Sequence, residues 1–321
     1  MLESGLKMKK RTIVQTGWGI MLLASLCNIL WGSAIPFINL GYRSFAVDSA
    51  DTATQILFAG IRFTLAGLIT ILIRSLMLRR PAIPKKGGLH RVAALALTQT
   101  MLQYFMFYVG VAHTEAVKSS IIQGLNSFVA ILVACYLFRT ERMTLRKAVG
   151  GLLGIAGVLT VQLNGGSISS RISLAGEGAL VMSMLAGAVS SSLIKRFGQE
   201  DDPMTLSGWQ FTAGGIVMAA AGFIAGGRLV PVSPLAVPTL LYLALLSATA
   251  YSLWSVLLSS NPVSRIAAYM VLQPIFGVFL TIILTGGSNG LSPARIVIAL
   301  ILVSACIMLI TLDNEKNPDK S

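Results

Sequence analysis

Residues 56–78 read ILFAGIRFTLAGLITILIRSLML, an unbroken apolar run whose only charges are Arg62 and Arg74. A helix rises about 1.5 Å per residue, so roughly 20 apolar residues cross a hydrocarbon core. This run is long enough. Stretches of the same kind lie at 17–40, 92–112, 118–138, 145–163, 174–194, 205–225, 236–258, 264–285 and 294–312. Hydrophobic residues make up 55% of the chain and charged ones 12%, a balance foreign to a soluble domain of this length. The expected fold is an all-α integral membrane protein with ten transmembrane helices. Its working groups are then the few polar side chains inside those helices.

The net charge of +13 is distributed by loop, which argues for membrane orientation and against nucleic-acid binding. Lys7, Lys9, Lys10 and Arg11 precede the first span. Arg79, Arg80, Lys85, Lys86 and Arg91 fill the second loop, and Arg139, Arg142, Arg146 and Lys147 the fourth. Lys195 and Arg196 belong to the sixth, Arg265 to the eighth, and Lys316 and Lys320 to the tail. The alternate connections carry only Arg43, Lys118, Arg171, Arg228 and Arg295. Both termini are therefore expected in the cytoplasm, with the chain multi-pass in the cytoplasmic membrane. The first apolar run is too long for a signal peptide and reads as a retained span. Cys27, Cys135 and Cys306 lie inside predicted helices without motif spacing and read as packed free thiols. His90 and His113 are too isolated for a metal site, and no cofactor is expected.

The stretch Gly165–Ser173 (GGSISSRIS) separates two halves, 1–164 and 174–321, of five predicted helices each. A shift of roughly 147 residues lays Tyr104 on Tyr251, Lys118 on Arg265, Leu125 on Leu272 and Asn126 on Gln273, and brings Arg62 within one residue of Gln210. An odd number of helices per half reverses the second half in the membrane. Such an inverted repeat is the arrangement that rocks about a midplane site to give alternating access.

Several stretches resemble the drug/metabolite transporter superfamily, in its EamA-type branch. Ile29–Phe37 (ILWGSAIPF) is similar to the Trp-Gly signature of the first helix, and Gly60–Gly67 (GIRFTLAG) to the arginine-aromatic stretch of the second. Leu125–Thr160, with Phe138-Arg139-Thr140-Glu141-Arg142, resembles the end of the fourth helix, the charged Glu-Arg loop and the glycine-rich fifth helix. Leu272–Val278 (LQPIFGV) is similar to the proline motif of the ninth. The chain departs from the pattern at Ser127, where proline is frequent, and at Gly286-Gly287-Ser288-Asn289, where a Glu-Arg pair is usual. The resemblance implies ten helices, a central cavity and export of small metabolites. The first helix lacks the glutamate that related small multidrug resistance proteins use for cation–proton exchange, which argues against export of cationic drugs.

Arg62 lies deep in the second span, where a guanidinium must be solvated by a cavity or a protein partner. Two roles fit it: binding a substrate carboxylate or phosphate, or tying helix carbonyls together. Gln99, Gln103, Tyr104 and Tyr108 share one face of the third helix by their three- and four-residue spacings. Tyr251, Trp254 and Ser255 do so on the eighth. Gln123 and Asn126 on the fourth are matched by Tyr269 and Gln273 on the ninth, and Asn28 and Trp31 share a face of the first. Pro36 is a candidate hinge in that helix. Ser190, with Ser191 and Ser192, falls at the corresponding level of the sixth helix, and Gln210 is the second-half counterpart of Arg62. Each of these groups alone could serve as interhelical glue; as a set they predict a cavity. Gly150, Gly154 and Gly157 read as packing positions of the fifth helix, with Ser304 and Ala305 opposite in the tenth. Glu177, the sole acid inside a predicted span, is a candidate for proton coupling or an interfacial group.

No paired-carboxylate motif, nucleophile elbow or phosphate-binding loop is present. The expected protein is a secondary carrier for an amino acid, a related zwitterion or an organic acid, working as monomer or homodimer in the bilayer. Its rivals are a passive channel and a membrane-embedded lipid-modifying enzyme.

Overall fold

The computed structural model describes residues 12–48, 50–114, 119, 122–162, 173–285 and 293–316. The basic residues before Thr12, Lys118, most of the 165–173 linker and Gly286–Asn289 lie outside the described residues. All regular structure among the described residues is helical. A 3-10 turn, Ile13–Gln15, leads into α1 (Gly17–Ser44), which runs through Pro36 without interruption; α2 is Thr52–Leu78. The third helix, α3, joins Leu89–Leu95, a π-helical stretch Ala96–Leu102 and Gln103–Ala112. In α4, Asn126–Leu132 continues into a π-helical Val133–Leu137, and α5 is Leu145–Gln162. The next helix, α6, joins a π-helical Leu174–Gly178 to Ala179–Phe197; α7 is Pro203–Ile224 and α8 Ala236–Ser260. Val263–Ala267, a 3-10 turn Ala268–Val271 and Leu272–Thr285 form α9, and α10 is Pro293–Lys316.

Six of these, α1, α2, α3, α6, α8 and α10, are long and apolar enough to cross a membrane; the apolar part of α4, Asn126–Leu137, is shorter. Large apolar side chains such as Leu72, Leu76, Ile224, Ile301 and Met308 lie on the outside, as lipid contact requires.

The most extensive pairing is α2 with α7, followed by α5 with α10. Around them α1 packs on α8 and α9, while α3 and α4 pack on α6. Glycines explain the first pair. Gly60 and Gly67 of α2 are seven residues apart, as are Gly208, Gly215 and Gly222 of α7, so each set lies along one helix face. A Cβ on Gly60 would stand 2.8 Å from the Gly215 carbonyl oxygen, and one on Gly215 equally close to that of Gly60. A Cβ on Gly67 would meet the Gly208 oxygen at 2.6 Å. Backbones thus touch, gaining the dispersion contacts that drive helix association where lipid supplies no hydrophobic effect. Gly60→Ala is expected to cost about 1–3 kcal/mol. Gly178→Ala, where the nearest atom would be 3.6 Å away, should leave thermal melting in detergent unchanged. Equal melting shifts for the two would contradict this packing. On α5, Gly150 and Gly157 face Ile310 and Val303 of α10, and Gly154 faces Cys306. All three cysteines are free and buried.

One end of the bundle, where α2 stops and α3 starts, is bolted by charge. It is called here the basic end. Arg74 grips Asp202 with two hydrogen bonds, Nε to Oδ2 at 2.9 Å and Nη2 to Oδ1 at 2.6 Å. Asp202 also caps α7 by accepting the Thr205 amide at 2.8 Å. Burial pushes its carboxyl up, but Arg74 and Thr205 prevail and hold it below the usual range. Arg91 pairs with Glu200 at 2.5 Å, and Asp201 accepts the Lys85 amide at 2.9 Å. On the far side of the same end, Lys147 and Glu141 form a buried ion pair at 2.8 Å. Glu141 also accepts the Ser264 amide at 3.1 Å and its hydroxyl, joining the α4–α5 loop to the start of α9. Asn261 Nδ2 donates to the Val14 carbonyl at 2.8 Å, fastening the α8–α9 corner to the residues before α1.

Candidate functional site

A cavity of about 190 Å³ lies in the middle of the bundle, walled by α1, α2, α3, α4, α6, α8 and α9. On α3 and α6 its lining extends from the centre into the half away from the basic end, Gln99 to Tyr108 on one and Ser191 to Leu180 on the other. It therefore sits beyond the ionic bolts.

Eleven of the side chains singled out in the sequence meet in its wall: Trp31, Arg62, Gln99, Gln103, Tyr104, Tyr108, Gln123, Asn126, Tyr251, Trp254 and Gln273. The helix spacing on α3 accounts for four of them at once. Arg62 is 4% exposed and donates from Nε to Ser247 Oγ at 3.0 Å, which fixes the guanidinium against α8. Its Cζ lies 5.2 Å from the centre of the Phe63 ring. No carboxylate pairs with Arg62 among the described residues. The hydroxyls of Tyr104 and Tyr251 are hydrogen-bonded to each other across the floor. The Trp31 ring packs on both Tyr251 and Trp254, at 5.1 and 4.9 Å between centres. Gln123 donates to Ser119 Oγ at 3.2 Å.

Four others are placed elsewhere. Gln210 stands behind the wall, fully buried, donating to Gln99 Oε1 at 2.9 Å and accepting from Thr100 at 2.6 Å. With Ser207 and Ser255 it borders a smaller void that shares Gln99 with the main cavity. Asn28 is fully buried and donates to the Ala24 carbonyl one turn back at 2.7 Å. Ser190 points into packing, while its neighbour Ser191 lines the cavity. Tyr269 belongs to the apolar core. Glu177 accepts the Ser173 amide at 2.8 Å while Ser173 accepts that of Gly176 at 3.2 Å, a reciprocal cap at the start of α6. It does not line the cavity.

The wall also holds residues that sequence reasoning passed over, among them Phe107, Met184 and Met270. The Glu141–Lys147 pair was missed too, because Glu141 lies in a loop between predicted spans. Its signal was the proximity of an acid and a base six residues apart across a tight turn. Among the described residues no group of histidine, cysteine or acid side chains is placed to hold a metal.

A multi-pass helical bundle enclosing a central cavity walled by amides, phenols and one arginine has the build of a membrane transporter. The chain belongs to the EamA-like transporter family, whose profile matches residues 18–163 and again 174–311. It is 26% identical over 305 residues to the uncharacterized inner membrane transporter YedA of Escherichia coli K12, covering 91% of this chain and 90% of that one. An uncharacterized transporter of Archaeoglobus fulgidus is 26% identical over 261 residues, 79% of this chain and 85% of that one. A crystal structure 16% identical in sequence superimposes with a TM-score of 0.72 over 94% of this chain and 99% of that one, a likeness of fold alone. The protein is thus a membrane-embedded, multi-pass transporter.

Proposed function

We propose that this transporter is a secondary carrier with no covalent chemistry, exporting a small carboxylate-bearing metabolite by alternating access. The cargo class is an amino acid, a related zwitterion or an organic acid. In this reading ten helices form two inverted five-helix repeats, 1–164 and 174–321, with both termini in the cytoplasm. The cavity between the halves carries the proposal. Its one guanidinium, held by Ser247 and unpaired with any described carboxylate, suits a carboxylate guest.

Contacts between equivalent residues support the inverted repeat. Tyr104 and Tyr251 are 147 residues apart and touch. Phe63 and Phe211 are 148 apart and stack at 5.4 Å with 19° between their planes. A residue close to a pseudo-twofold axis meets its own counterpart, as these do. The reciprocal glycine contacts of α2 and α7 have the same character, and the α1–α8 packing is mirrored by α6–α3. The ionic bolts between the cavity and the basic end favour a carrier over a channel, since an open pore would have to pass them. Glu177, committed to a helix cap, supports an interfacial role over proton coupling.

Counterflow tests this reading. Proteoliposomes loaded with pooled unlabelled amino acids and organic acids are exposed to single labelled members of the pool. Transient, saturable accumulation of one label, weakened in Gln103→Ala, is the expected result. Flux that rises linearly without overshoot would instead establish a channel.

A further inference from the structure

The charges of the cavity narrow the cargo further, resting on the reading of that cavity as the transport site. Among the described residues of its wall, Arg62 is the one charged side chain. Its Nε is used on Ser247, which leaves the two terminal nitrogens to a guest. Glu177, Glu141 and Asp202 line no part of it and are engaged elsewhere: Glu177 with the Ser173 amide, Glu141 with Lys147 and Ser264, Asp202 with Arg74. Among its described residues the wall therefore carries one positive charge and no acid, in a space bounded by the rings of Trp31, Phe107, Tyr251 and Trp254.

A buried charge is costly until it is paired, and a guest of net charge −1 pairs it. A zwitterion brings its own ammonium, which must then shed water against amide oxygens and ring faces alone. Those contacts recover only part of the hydration lost. The aromatic walls in turn favour a flat or apolar body. We infer that the cavity selects apolar-bodied or aromatic monocarboxylates over the amino acids that match them in shape.

Three probes isolate the charges: 3-phenylpropionate, L-phenylalanine and phenethylamine share one skeleton and differ in carboxylate and ammonium. The full-length protein in nanodiscs is melted with each. 3-Phenylpropionate is expected to raise the melting temperature at concentrations at least tenfold below those phenylalanine requires, and phenethylamine not at all. Arg62→Gln should abolish the shift. Because Arg62 also ties α2 to α8, a second variant carries the test independently. Gln123→Glu places a carboxylate in the wall and should reverse the preference in favour of phenylalanine. Phenylalanine acting at equal or lower concentration on the native protein would overturn the inference, as would a shift from none of the three. Counterflow with the same probes separates the two claims. Stabilisation by 3-phenylpropionate without its counterflow would sink the carrier and leave the charge preference standing. Counterflow of phenylalanine alone would sink the preference and leave the carrier.

Discussion

Arg62→Ala is expected to lower counterflow at subsaturating substrate by roughly two orders of magnitude, equivalent to about 2.7 kcal/mol of lost binding. The guanidinium is the only charge the cavity wall offers among the described residues, and its position is fixed by Ser247 on the facing helix. Arg62→Lys keeps the charge but loses the planar fork, so an intermediate loss of about tenfold should follow. A purely structural role makes a different forecast. If Arg62 serves only to fasten α2 to α8, then Ser247→Ala should impair transport as badly as Arg62→Ala, and both should fall in proportion to their melting temperatures. Transport lost while the unliganded protein still melts near the native temperature assigns the residue to cargo.

The second large effect concerns stability. Glu141→Ala strands the Lys147 ammonium, 2% exposed, with only the Arg142 carbonyl at 3.2 Å to receive it. It also takes the acceptor from the Ser264 amide. Breaking one half of a buried ion pair costs about 3–5 kcal/mol, most of it the desolvation of the charge left behind. The double variant Glu141→Ala/Lys147→Met removes that stranded charge and should recover much of the loss. The readout is thermal unfolding of the detergent-solubilised protein for the two single variants and the double. A double variant no more stable than Glu141→Ala would show that the pair's charge is not the cause.

Six membrane-length apolar helices were legible because lipid imposes a length on apolar runs that few other environments do. The four polar positions of α3 were legible for a related reason: amides and phenols contrast with everything around them, and helical spacing puts them on one face. Phe107, Met184 and Met270 were not, because in a membrane protein an apolar side chain is equally at home facing lipid, core or cavity. Ser190 and Ser191 show the same limit at closer range. Adjacent residues differ by about 100° around a helix, and a run of three serines gives no phase to choose among them. The buried pairing of Glu141 escaped notice for a different reason. Its burial depends on the α8–α9 corner, more than a hundred residues away in the chain, closing over it.

The glycine crossing of α2 and α7 has a consequence for how such a protein can change over time. Positions 60, 67, 215 and 222 refuse any larger residue, since the space a side chain would fill is already backbone. A saturation scan would therefore show the deepest depletion recurring at seven-residue intervals on these two helices. The cavity wall, in contrast, is made of side chain ends, which can be exchanged one at a time while the crossing stays intact. New cargo specificities can arise by drift at the wall without passing through unstable intermediates. The price of that freedom is a narrow strip of two helices in which the lineage cannot vary at all.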